Sequence, residues 1–163
     1  MAAIIRLAAL GLVVLATGSP LSAPRVAADP SSPAVDDRRQ PTAAPTADSE
    51  YDRGVRARVG RDWKTAEAAF RRAIALRPGF ADAWNELGYA LRNQQRYAES
   101  VQAYTEALRL RPDYPEALEY LGEAYVDMNR LEDATRILTR LRPLDPARAQ
   151  ELAEAIQQKS SKR

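Results

Sequence analysis

The sequence predicts an all-α chain, a short solenoid of antiparallel helix pairs, and three observations predict it. Pro78, Pro112 and Pro146 are spaced by 34 residues; so are Gly54, Gly88 and Gly122, and so are Ala66, Ser100 and Ala134. A shared period of this length marks stacked helix-turn-helix units. Within each cycle, apolar residues recur at helical spacing on both sides of a short turn, so each unit presents two apolar stripes to its neighbours.

The chain opens with MAAIIRLAALGLVVLATGSPLSAPRVAA, residues 1–28, which carries Arg6, an uncharged apolar run from Leu7 to Ala16 and small residues after it. It resembles a bacterial secretory signal peptide, and the run is about half of the ~20 residues a spanning helix needs. Cleavage is expected after Ala28, because Val26 and Ala28 fill both specificity positions with small residues while the nearer Ala23 is followed by Pro24. The mature protein would then be periplasmic or secreted, with no permanent membrane span; an uncleaved segment would tether it to the inner membrane. No cysteine follows the run, which excludes a lipoprotein anchor. Cleavage removes Arg6 and Arg25 and no acid, taking 24 basic and 22 acidic residues to 22 of each. The charge balance therefore implies no nucleic-acid partner.

Residues 29–46, DPSSPAVDDRRQPTAAPT, hold no large aliphatic side chain except Val35. Such a stretch buries too little apolar surface to offset chain entropy, and a disordered linker is expected.

Three cycles follow, at 47–80, 81–114 and 115–148. In the middle one Trp84, Leu87, Gly88 and Leu91 share one helical face. After a turn near Asn93–Gln95, Tyr97, Val101, Tyr104, Ala107 and Leu108 share another. The glycine and Ser100 sit where paired helices must approach closely, and proline ends the second helix because it lacks an N–H and clashes with the preceding turn. In the third cycle Pro143 comes three residues before Pro146, which predicts that the second helix stops near Arg140. Asp145 then serves as N-cap and Pro146 as the first residue of a last helix over 146–158, with Ala149, Leu152, Ala153 and Ile156 on one face. This helix caps the array. Residues 159–163 are expected to be a disordered tail.

Cysteine and histidine are both absent. That excludes disulfides, Cys/His metal sites, thiol nucleophiles and Ser-His or Cys-His catalysis. No metal or cofactor is expected.

The middle cycle, with Trp84, Leu87, Gly88, Ser100, Tyr104, Ala107 and Pro112, resembles the tetratricopeptide repeat. The third resembles it through Leu118, Leu121, Gly122, Tyr125, Ala134, Leu138 and Pro146. The first keeps Gly54, Ala57, Ala66, Phe70, Ala73 and Pro78 but has Glu50 and Arg53 where apolar residues belong. The resemblance implies a right-handed superhelix of three repeats plus a cap. It also implies that the first helix of each repeat lines a concave groove receiving a partner polypeptide. On that basis the groove residues are Tyr51, Asp52, Asp82, Asn85, Glu86, Tyr89, Arg92, Asn93, Glu116, Glu119, Tyr120, Glu123 and Asp127, with Asp48, Val55, Arg58, Val59 and Val126 on the same stripe.

That stripe carries eight acids and two bases, which predicts a partner with a basic segment, held against tyrosines that bury and hydrogen-bond at little entropic cost. First-turn acids at Asp48, Asp82 and Glu116 also answer the helix dipole; Glu123 and Asp127, in the C-terminal half of their helix, do not. One subset of the family grips a C-terminal carboxylate with Lys, Asn and Arg; the matching positions are Tyr51, Val55, Glu86, Glu116 and Tyr120, none basic. The second helices carry Lys64, Arg71, Arg72, Arg96, Arg109, Arg111, Arg130, Arg136, Arg140 and Arg142, read as a solvated face with pairs such as Glu67 to Arg71.

The function expected is a non-enzymatic exported adaptor or scaffold that binds a polypeptide segment and helps assemble a cell-envelope complex. The alternatives are a permanent accessory or self-associating subunit, and a hydrolase using Glu119 and Glu123, one helical turn apart.

Overall fold

The computed structural model describes residues 44–162, and within them the chain forms seven α-helices and no strand. They are α1 (Ala47–Val59), α2 (Trp63–Leu76), α3 (Ala81–Asn93), α4 (Tyr97–Leu110), α5 (Pro115–Asp127), α6 (Leu131–Leu141) and α7 (Pro146–Ser160). The predicted leader, its cleavage point after Ala28 and the linker up to residue 43 lie outside the described residues. Ala44, Pro45 and Thr46, the end of that linker, precede α1, and Thr46 caps it. The Ser49 N–H donates to Thr46 Oγ1 at 3.1 Å while the Thr46 N–H donates to Ser49 Oγ at 2.9 Å, so two otherwise orphaned donors are satisfied.

Antiparallel neighbours α1/α2, α3/α4 and α5/α6 pack as pairs, and each pair rests on the next through α2 with α3 and α4 with α5. Close approach within the first two pairs depends on glycine. A Cβ on Gly54 would fall 2.5 Å from Phe70 Cε1, and one on Gly88 would fall 2.6 Å from Tyr104 Cε1, well inside contact distance. Ala66, Ser100 and Ala134 are fully buried on the facing helices. In the third repeat the close neighbour of Gly122 is instead Leu152 of α7. α6 has only eleven residues, and α7 folds back against both α5 and α6.

The three turns within pairs place Arg61, Gln95 and Asn129 in the left-handed region, at φ of 57°, 62° and 60°. These positions repeat the 34-residue period with no glycine. α7 starts where sequence predicts: Asp145 accepts from the Ala147 and Arg148 N–H groups, both at 3.1 Å. It runs two residues past 158, so Lys159 and Ser160 are helical and not part of a disordered tail. The Ser161 N–H donates to Gln157 O at 3.0 Å, and the Ser160 and Ser161 hydroxyls donate to Gln157 O and Gln158 O, which satisfies the last turn.

The array's two ends differ. Ala149 and Leu152 bury α7 against the core of the third repeat. At the other end Glu50 and Arg53 pair at 2.7 Å, and Glu50, Arg72, Ala75 and Leu76 line an apolar cavity of about 420 Å³ with Pro45. Among the described residues, no helix is long and apolar enough to cross a membrane.

Candidate functional site

α1, α3 and α5 lie side by side, and in a solenoid such first helices line the concave surface. Of the thirteen residues expected there, Asp52 and Asn93 are exposed, while Tyr51, Asp82, Tyr89, Arg92, Glu116, Tyr120, Glu123 and Asp127 are half-buried. Asn85, Glu86 and Glu119 are buried, at 0%, 8% and 4% exposure. Asn85 and Glu119 therefore do not present themselves to a partner as the stripe predicts, and Glu86 reaches the face only through the 8% of it left exposed. Asn85 stands one period after Tyr51, whose ring packs on Phe70 and Phe80 at 5.7 and 4.9 Å, so the position is an interior one. Glu119 is covered by Arg148 of α7. Neither polar atom of the Asn85 side chain has a hydrogen-bond partner, nor does the buried Tyr104 hydroxyl.

The expected acidic face is largely neutralised within the molecule. Arg77 pairs with Asp48, Arg111 with Asp82 at 3.0 Å, Arg58 with Glu86 at 3.0 Å and Arg148 with Glu119. Arg92 holds both Glu123 and Asp127, the latter at 2.7 Å. Glu123 and Asp127, unexplained by the helix dipole, are thus the α5 half of a link to α3. Arg77, Arg111 and Arg148 come from outside the first three first helices, so the stripe's charge balance omits them. A readable signal marks them: Asp48–Arg77, Asp82–Arg111 and Glu119–Arg148 are each 29 residues apart. Arg77 and Arg111 also stack on Phe80 and Tyr114, with Cζ 4.5 and 4.4 Å from the ring centroids.

What remains among the described residues is a face of eight carboxylates against five guanidiniums, on which Asp52 and Glu116 form no ion pair. Aromatic rings run across it from repeat to repeat, Trp63 to Tyr89 at 5.9 Å and Tyr89 to Tyr120 at 5.2 Å, and Tyr120 meets the buried ring of Tyr104 beneath at 6.1 Å. Trp63 and Tyr104 belong to second helices, which is why the stripe misses them. Beside this ladder Tyr89, Arg92, Asn93, Gln95, Tyr97 and Asp127 line a polar depression of about 270 Å³.

Burial sets the acid–base behaviour of the face. It raises the Glu86 carboxyl, opposed by Arg58 and reinforced by Glu116 and Asp82, to about 7. Glu119 and Glu123 are also raised by burial, against the pull of Arg148 and Arg92 respectively. Tyr51 and Tyr120 are pushed up to about 12, chiefly by burial. Glu119 and Glu123 are each engaged by a guanidinium, and among the described residues no cluster of carboxylates is placed to hold a metal ion.

Family models described as tetratricopeptide repeat match residues 51–115 and 91–158, together most of the described chain. The chain belongs to the tetratricopeptide repeat family. Its fold is shared with solved domains of that family. The TPR domain of Arabidopsis OM64 is 18% identical with a TM-score of 0.66, over 69% of this chain and 94% of that one. The TPR2B domain of yeast Sti1, in a pHsp70 complex, is 20% identical with a TM-score of 0.67, over 72% and 98%. The second TPR domain of human RPAP3, in complex with the HSP70 peptide SGPTIEEVD, is 25% identical with a TM-score of 0.65, over 68% and 94%. No curated protein matches the sequence. The repeats of this tetratricopeptide repeat protein begin at Ala47, Ala81 and Pro115, where its first helices begin.

Proposed function

We propose that the protein is a non-enzymatic adaptor that binds a polypeptide segment carrying Lys or Arg along the face of α1, α3 and α5. The observation that carries this reading is the ring ladder of Trp63, Tyr89 and Tyr120 running beside the unpaired Glu116. The rings offer stacking area and the carboxylate offers the sign of charge. Tetratricopeptide neighbours in complexes with Hsp70-derived peptides support a peptide ligand as the class. The peptide in the human complex ends in Glu-Glu-Val-Asp. Here Glu86 and Glu116 stand at two of the groove positions where basic residues or an amide would grip such an end, so the preference is reversed.

The leader-like first 28 residues support a periplasmic or secreted site of action, where such an adaptor would assemble or position an envelope complex. The linker from Asp29 would separate the repeat domain from the export segment. Catalysis by Glu119 and Glu123 is disfavoured, because both are committed to arginines that hold helices together.

The test uses a fluorescent lysine-rich peptide and its glutamate-rich counterpart. Only the first should bind, and Glu116→Lys should weaken it about tenfold, the size of one charge-assisted contact of ~1.4 kcal/mol. Glu119→Lys is unsuitable, since it would leave Arg148 facing a second cation in a buried place. Equal binding of both peptides, or no effect of Glu116→Lys, would falsify the electrostatic part. A photoreactive residue at Tyr89, compared with one at Arg72 on the second-helix side, then identifies the partner in the cell envelope. Capture from Arg72 alone would move the site off this face.

A further inference from the structure

Glu86 is the carboxylate whose surroundings the peptide-binding reading leaves unexplained. It is more than nine-tenths buried, its Oε2 accepts no hydrogen bond, and Arg58 of α1 approaches it with Nε at 3.0 Å without hydrogen-bond geometry. Titratable groups reach it from α1, α3, α4 and α5, and none from α2. α1 supplies Arg58 and Tyr51, α3 itself supplies Asp82, α4 supplies Tyr104, and α5 supplies Glu116 and Tyr120. One guanidinium therefore faces three carboxylates and three phenols. Arg111 already serves Asp82, and Glu116 forms no ion pair among the described residues, feeling only the longer-range charge of Arg148, which is paired with Glu119. A buried carboxylate so placed is poorly stabilised in its ionised form unless a second cation arrives.

We propose that Glu86 is a proton-linked gate in the groove: it holds a proton in the empty protein and gives it up when a lysine or arginine side chain of the partner seats between it and Glu116. The inference rests on the basic-segment reading above and adds the exchange by which that segment is admitted. In the exchange the Glu86 O–H bond breaks, the proton passes to solvent, and the carboxylate left behind pairs with the partner's cation. The carboxyl's position at about 7 places the exchange in the neutral range, where a lysine or arginine stays charged. Binding and pH are then linked, and the groove favours its partner more strongly in mildly alkaline than in mildly acidic surroundings.

The probe is the amidated hexapeptide Lys-Ala-Lys-Ala-Lys-Ala. Its association constant should rise roughly tenfold from pH 6 to pH 8 as Glu86 ionises, and binding at pH 7 should release about half a proton, read by calorimetry in two buffers of different ionisation enthalpy. Glu86→Gln should bind more weakly at pH 8 and with no pH dependence. In the free protein the ¹³C shift of the Glu86 carboxyl should titrate with a midpoint of about 7. A midpoint in the ordinary carboxylate range overturns the gate whatever the peptide does. So does wild-type binding that is flat between pH 6 and pH 8, and that result leaves the basic-partner reading standing. A neutral-range midpoint with no peptide binding at any pH overturns the basic-partner reading, and the gate with it.

Discussion

Gln95 holds φ at 62° in the turn between α3 and α4, a conformation in which its Cβ crowds the backbone. A non-glycine residue there is strained by ~1 kcal/mol or more, partly offset because glycine loses more freedom on folding. Gln95→Gly should therefore raise stability by about 0.5–1 kcal/mol, measured by urea denaturation with unchanged slope. Asn129, at φ 60°, should respond less, because its short polar side chain tolerates the left-handed region. The turn was legible as a turn, since Asn93–Gln95 interrupts two apolar stripes. Its backbone sign was not, because neither Arg61 nor Gln95 is a residue that announces positive φ. Asn85 shows the same limit at a candidate site position. Its place on the stripe is legible, but whether a stripe residue faces solvent or a neighbouring ring depends on helix rotation, which spacing leaves open by tens of degrees.

Helices α1 and α2 show how one element departs from its copies. Glu50 and Arg53 occupy the places that Trp84 and Leu87 hold in the second repeat and Leu118 and Leu121 hold in the third. They form an ion pair at 2.7 Å, yet Glu50 Oε2 and the Arg53 guanidinium nitrogens Nε and Nη2 lack hydrogen-bond partners. Partly buried pairs of this kind repay their desolvation poorly. Replacing both, Glu50→Leu with Arg53→Leu, should stabilise the chain by about 1–3 kcal/mol, whereas Glu50→Ala alone should destabilise it by leaving Arg53 uncompensated. Thermal melting of the three variants decides this, and a double variant no more stable than the wild type would refute it. The repeat boundaries were legible because proline, glycine and small-residue positions each carry the period independently. The arginine links between first helices were not, since a stripe read one helix at a time omits what the neighbouring helices bring to it.

Across the whole molecule two carboxylates, Glu86 and Glu67, make stability depend on pH from both sides. Glu86 has a folded-state midpoint of about 7, above the ordinary 4.5. The folded chain thus binds more protons between those values, and stability falls as pH rises through them. Glu67 behaves oppositely. Burial raises it, but hydrogen bonds from Arg71, Gln94 and Arg96 more than offset this and bring it to about 2. Its contribution is present above the ordinary value and lost as pH falls toward 2. The melting temperature should therefore peak near pH 4–5 by these two groups, with Glu86→Gln recovering up to ~3 kcal/mol at pH 8. A wild-type chain equally stable at pH 5 and pH 8 would contradict this assignment.

The unlike ends of the array have a consequence for how it can be enlarged. α7 seals the third repeat by burying Leu152 beneath Gly122, so a unit inserted there would first have to evict a helix already bound. At α1 a new helix pair would meet a charged couple, Leu76 and an apolar hollow, and displace no helix among the described residues. Among the described residues, then, adding a duplicated 34-residue module would displace no helix at α1 and would displace α7 at the other end.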